Sequence, residues 1–150
     1  MTRREAFLWV IERYVGTPYV WGGDDPWGID CSGLVLAGLT AVGSMAWGTD
    51  TTAGGLLSWS EAGGFTIDEA GLKEGCLVFF GSPVVHVEVI WRREDLSIGA
   101  SGGGSGNAAG DPEEAAAKAS KTNAYVKVHP WKRRPGPYRF ADPFLEEGDV

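Results

Sequence analysis

Gly16-Thr17-Pro18-Tyr19-Val20-Trp21-Gly22-Gly23, a spacer, and then Asp30-Cys31-Ser32-Gly33-Leu34-Val35 form the stretch on which the reading of this chain turns. Gly16-Thr17-Pro18 breaks any preceding helix, and Tyr19 to Pro26 reads as an irregular loop. From Asp30 to about Val42 the chain is apolar on nearly every side, which predicts a buried helix stopped by Gly43. A cysteine attacks only as its thiolate, and the exposed N–H groups of a helix N-terminus favour negative charge. Cys31 is therefore expected to have its pKa lowered at the start of this helix.

The flanking segments set that helix in context. Met1 to Tyr14 has Phe7, Leu8, Val10 and Ile11 at helical spacing among Arg3, Arg4, Glu5, Glu12 and Arg13, an amphipathic helix. It lacks the uninterrupted apolar core of a signal peptide, so export would fall to another component or to a removed leader. Thr51 to Ala62 predicts a shorter helix. Cys76 to Phe80 and Val84 to Trp91 read as strands around a turn at Gly81-Ser82-Pro83, with Ser97 to Ala100 as a third. Asp111-Pro112-Glu113-Glu114 is a helix start, with a capping aspartate, proline at the first position and acids in the first turn. Ala124 to His129 alternates like a strand. Helices first and strands later predict an α+β order within a single domain spanning residues 1–150. A glycine-rich loop is expected at 101–110 and a C-terminal extension from about 130.

His86 is the natural partner for Cys31, early in the apolar strand His86-Val87-Glu88-Val89-Ile90. Such a pair can serve as nucleophile and general base in acyl transfer. Residue chemistry alone leaves another reading open, because a buried free cysteine is commonly inert core and a lone strand histidine commonly a satisfied core residue.

Composition excludes several classes. The chain has 150 residues with a formal charge of −7, which argues against a nucleic-acid binder needing a basic face. Lys132, Arg133, Arg134 and Arg139 are the locally basic stretch, read as a solvated C-terminal strand or loop because such runs usually face water. No segment approaches the roughly 20 apolar residues of a membrane span. Two cysteines and two histidines lack the short spacing that preorganises zinc, and Cys31 and Cys76 leave a disulfide open. Gly102 to Gly106 lacks the Lys-Ser/Thr that would follow in a phosphate loop.

The Gly16–Gly23 and Asp30–Val35 blocks together resemble the signature around the nucleophile of NlpC/P60 cysteine peptidases. Gly75-Cys76-Leu77-Val78-Phe79-Phe80 is similar to the family's glycine-led strand, and His86-Val87 to the start of its histidine strand. The resemblance spans roughly residues 4 to 100, and the tail is similar to that of small phage-encoded members. It implies a papain-like fold, with N-terminal helices carrying the nucleophile packed on an antiparallel sheet. It further implies cofactor-free hydrolysis of a peptidoglycan stem peptide between D-glutamate and a diamino acid. Cys31 would attack, His86 would shuttle the proton, and the Cys31 N–H would contribute to an oxyanion hole. Tyr19 would orient substrate near the nucleophile, while Asp30 and Ser32 would hold a free amine. For Asp30 a plain helix cap is an equal reading, and Trp21 and Trp27 either line the groove or pack.

One departure from the family matters. The third polar residue, which orients the imidazole from the following strand, falls at Gly99 here. Glu88 is the leading substitute, because it lies two residues after His86 on the same strand face and holds a position where the family commonly has glycine. Ser101 and Asn107 are weaker options. The family's aspartate after the strand-leading glycine is replaced by Cys76, read as core. Alternatives to the peptidase are an amidase or acyltransferase on another small amide, or a phage tail-tip or hub component with residual activity and tail or baseplate partners. The sequence leaves the cellular location open.

Overall fold

The computed structural model describes residues 1–25, 27–101 and 107–147. Residues 102–106 of the glycine-rich loop expected at 101–110, and Pro26 of the Tyr19 to Pro26 loop, lie outside the described residues.

Helix α1 (Arg3–Arg13) is opened by a capping box in which Thr2 accepts from the Glu5 N–H and Glu5 accepts from the Thr2 N–H, both at 3.1 Å. Its Phe7, Leu8 and Ile11 are buried, whereas Trp9 faces solvent. The hairpin of β1 (Asp24–Asp25) and β2 (Gly28–Ile29) precedes α2 (Cys31–Ala41), whose Leu34, Val35 and Leu39 are buried. Helix α3 (Ala53–Gly63) is capped by Thr52 and closed by Gly64 in the left-handed region. Helix α4 (Pro112–Thr122) follows its capping Asp111.

Among the described residues the main sheet has six antiparallel strands. They are β3 (Thr66–Ile67), β4 (Leu77–Phe80), β5 (His86–Trp91), β6 (Arg93–Ser101), β7 (Tyr125–Pro130) and β8 (Tyr138–Ala141), in the order β3-β8-β4-β5-β6-β7. The α+β order expected from the sequence is thus observed. The hydrophobic pattern revealed none of β1, β2 and β3, and the basic stretch expected as a solvated strand or loop carries β8, which enters the sheet between β3 and β4. Its Phe140 and Ala141 are buried and pair with Val78 and Leu77.

Period-two alternation separates two cores. Leu77, Phe79, Val87 and Val89 pack with Leu34, Val35 and Leu39 of α2 on one face. Val78, Phe80, Ile90, Trp131 and Phe140 pack together on the other. His86 and Glu88 share the parity of Ile90, so their side chains leave β5 away from the α2 core. The tail is anchored by Trp131, fully buried, whose indole N–H donates to the Glu94 carbonyl at 2.7 Å.

A buried ion pair ties the two ends of the chain. Arg4 donates to Asp142 at 2.9 Å and to the Glu74 carbonyl at 3.1 Å. Asp142→Ala would strand the guanidinium and is expected to lower the unfolding free energy by about 3 kcal/mol in urea titrations. Replacing both partners by apolar residues of similar size is expected to recover most of that loss.

Candidate active site

The loop that carries the nucleophile is laced to the outer strand of the sheet. Gly16 and Tyr19 donate backbone N–H groups to Val126 and Ala124, both at 2.9 Å, and Asp30 N–H returns to the Gly23 carbonyl at 3.0 Å. This delivers Cys31 to the first position of α2, with Asp30 as its cap. Asp30 Oδ1 accepts from the Gly33 N–H at 2.6 Å and from the Ser32 hydroxyl at 3.3 Å. A side chain at Gly33 would begin 2.5 Å from the Gly23 carbonyl, so glycine there lets the loop close over the helix start.

Cys31 and His86 line one cleft of about 770 Å³, together with Tyr19, Asp30 and Ser32. Trp21, 55% exposed, lines it as well, rather than packing in the core. Burial is the largest influence on the Cys31 thiol and pushes its pKa up to about 11, with the Asp30 charge acting in the same sense. Hydrogen bonds to the backbone at Val87 and Ser32 oppose this, and so does the Arg134 charge. The helix start therefore does not lower the thiol below its ordinary value as expected, because desolvation of the anion outweighs it. Cys31 and Cys76 are both free, and Cys76 is fully buried in the second core.

His86 leads to the centre of the site. Its Nε2 lies 2.6 Å from Glu88 Oε2, and Glu88 is wholly buried. The same carboxylate accepts from the Ser97 hydroxyl at 2.6 Å, from Arg133 Nη2 at 2.9 Å and Nη1 at 3.3 Å, and sits 3.1 Å from His129 Nε2. Burial alone would raise the Glu88 pKa, but the hydrogen bonds from His129, His86 and Arg133 prevail and hold it far below the usual carboxylate range. An anion there requires the His86 proton on Nε2, which leaves Nδ1 as the acceptor. Burial pulls the His86 pKa below its usual value, against the opposing pull of Glu88, so the resting imidazole is neutral near pH 7.

Gly99 completes this arrangement. A side chain there would begin 2.5 Å from Glu88 Cγ and 2.7 Å from its Oε2. The Glu88 side chain thus occupies the space that a residue larger than glycine would need at 99. Of the other two orienting options, Asn107 donates instead to Thr122 at 3.1 Å, and Ser101 lines the cleft. Sequence reading missed Ser97, His129 and Arg133. They lie 9, 41 and 45 residues from Glu88, and only the second histidine and the basic stretch hinted at them.

Two outcomes are expected from this geometry. Gly99→Ala forces Glu88 aside and should cost about 1–3 kcal/mol in denaturant unfolding, as overpacking does. Alkylation of Cys31, read by mass on intact protein, should climb about tenfold per pH unit between roughly pH 7 and 10 without levelling. A rate independent of pH near neutrality would instead reveal a thiolate–imidazolium pair.

Comparison with known proteins follows the same residues. The NlpC/P60 family model matches residues 16–120. Protein P54 of Enterococcus faecium is 41% identical over 70 residues, which make up 47% of this chain and 12% of that protein, so the chain spans a small part of that relative. The NlpC/p60 domain of the peptidoglycan hydrolase SagA superposes with a TM-score of 0.61 and 28% identity, covering 91% of this chain and 96% of that one. RipD of Mycobacterium tuberculosis, a non-catalytic NlpC/p60 domain protein adapted to peptidoglycan binding, has the same fold, with a TM-score of 0.62 and 14% identity over 94% of this chain and 97% of its own. With a papain-like arrangement of helices on an antiparallel sheet and a family match over most of its length, this chain belongs to the NlpC/P60 family.

Proposed function

We propose that the domain is a cysteine endopeptidase that hydrolyses an amide in a peptidoglycan stem peptide, of the D-glutamyl–diamino acid type. The observation that carries this reading is the 2.6 Å contact between His86 and a buried, anionic Glu88, in the wall of the cleft that also holds Cys31. A carboxylate fixed behind an imidazole selects the tautomer that can take a proton, as it does in acyl-transfer triads.

In the proposed reaction His86 Nδ1 accepts the Cys31 proton as the sulfur attacks the amide carbon. The carbonyl oxygen becomes an oxyanion near the start of α2, where the Cys31 N–H has no partner within the helix. As the tetrahedral intermediate collapses, the C–N bond breaks and the imidazolium returns its proton to the leaving amine. Water, deprotonated by His86, then hydrolyses the thioester and regenerates the thiol. Because the resting thiol is neutral, proton transfer accompanies attack instead of preceding it. Glu88 is a positioning residue here, touching the imidazole and not the substrate. Tyr19, Asp30 and Ser32 bind the substrate beside the nucleophile, with Asp30 also serving as the helix cap.

A second reading, binding of peptidoglycan without cleavage as in RipD, is favoured by the raised thiol pKa. Digestion of purified sacculi and defined stem peptides, with products read by mass, separates the two. Cleavage by the native chain that disappears in Cys31→Ala is the expected result. Retained affinity for sacculi with no cleavage would replace hydrolysis by binding. Glu88→Gln is expected to lower kcat by about a hundredfold or more, as loss of tautomer control does in related triads.

A further inference from the structure

We propose that Arg134 is a carboxylate subsite of the Cys31 cleft, so that the domain selects small peptides bearing a free carboxylate near the bond presented to the thiol. The inference rests on the peptidase reading for the fate of the peptide, though not for its binding.

The charged side chains along the cleft are unevenly divided. Asp24, Asp30 and Asp50 are the acids, and Arg134 is the single Lys or Arg among the described residues lining it. Asp50 lies near enough to Asp30 to help raise its pKa, after burial, and Asp30 is the helix cap next to Cys31. Arg134 lies on the His86 side. Its guanidinium carbon is 5.6 Å from the centre of the Phe80 ring, and that ring lies 5.3 Å from the imidazole of His86. The cleft therefore holds three acids and one cation, and the charge of that cation reaches both Cys31 and His86.

The neighbouring cations are committed elsewhere. Arg133 is spent on Glu88 at 2.9 Å, and Lys132 reaches Glu69 at 3.1 Å. No carboxylate lies within ion-pair distance of Arg134 among the described residues. What holds it is its own backbone, whose carbonyl accepts the Tyr138 hydroxyl at 2.6 Å, and the placement of its guanidinium over the Phe80 ring. A planar guanidinium on the cleft lining, with no carboxylate partner among the described residues, matches a carboxylate through two parallel hydrogen bonds. Polyanions are poor candidates. The chain carries a formal charge of −7, and one arginine cannot provide the multiple phosphate contacts that nucleic acids require. A small dipolar peptide fits, with its ammonium toward Asp30 and its carboxylate toward Arg134. In a stem peptide that carboxylate belongs either to the glutamyl α-carbon or to the diamino acid.

The test uses the full chain with Cys31→Ala, titrated calorimetrically with a tripeptide of alanine, γ-linked D-glutamate and a diamino acid. Four forms of the peptide are compared: both carboxylates free, each amidated singly, and both amidated. The free form should bind about tenfold more tightly than the doubly amidated one, the scale of a charge-assisted hydrogen bond. The single amidation that abolishes this preference identifies the carboxylate. Arg134→Gln should remove the preference and Arg134→Lys restore part of it, with unchanged thermal melting as the check on folding. Equal affinity for all four peptides, no binding of any, or equal weakening of all by Arg134→Gln would overturn the proposal, the last outcome marking Arg134 as packing on Phe80. Parallel hydrolysis by the native chain keeps the readings apart. Cleavage without discrimination rejects the subsite alone, and discrimination without cleavage rejects the peptidase alone.

Discussion

A carboxylate buried without exposure to water is costly unless every lone pair finds a donor, and Glu88 meets that demand from four directions. His86 approaches from its own strand, Ser97 from β6, His129 from β7, and Arg133 from the turn beyond it. Four segments of chain converge on one anion. Their positions are mutually constrained, because removing any donor leaves charge uncompensated in a place water does not reach. The imidazole orientation, the seating of the C-terminal tail and the pairing of β5, β6 and β7 all meet at this group.

The geometry also explains why a glutamate at 88 goes with a glycine at 99. Side chains two apart on a strand share a face, so a glutamate at 88 can reach back to the histidine at 86. The space it fills is open because residue 99 is glycine. A carboxylate on β5 with glycine opposite is thus a consistent pair, and a larger residue at 99 would exclude it. His129 and Arg133, which hold the carboxylate, lie beyond the 16–120 segment that matches the family model. In the proposed reaction, part of the support for the histidine therefore comes from outside the family's common region.

On the other side of the cleft, burial works against the nucleophile. The helix start and the Val87 backbone favour the thiolate, but desolvation and the neighbouring Asp30 prevail. Asp30 serves the fold by capping α2 and lines the cleft at the same time, so the group that secures the helix is also the one that disfavours a second negative charge next to it. A resting neutral pair of thiol and imidazole follows from those opposing influences.

Much of this was legible in the chain itself. Local signals sufficed for the helices, for the Asp30 and Asp111 caps, for β4, β5 and β7, and for the pairing of Asp30 with Cys31 at a helix start, because capping, periodicity and motif spacing act over a few residues. Glu88 was visible as a same-face neighbour of His86 for the same reason. The place of β8 inside the sheet was not, since its four residues sit in a basic, proline-flanked stretch readable as a solvated strand or loop and are fixed by pairing with β3 and β4. Nor could sequence show that Arg133 turns inward to Glu88 while Arg134 turns to the cleft, or that His129 joins them. Those roles depend on contacts between residues tens of positions apart, which exist only once the sheet has closed. The value of the Cys31 pKa was likewise decided by tertiary structure, because a helix N-terminus is a local property, whereas desolvation is set by everything packed around the sulfur.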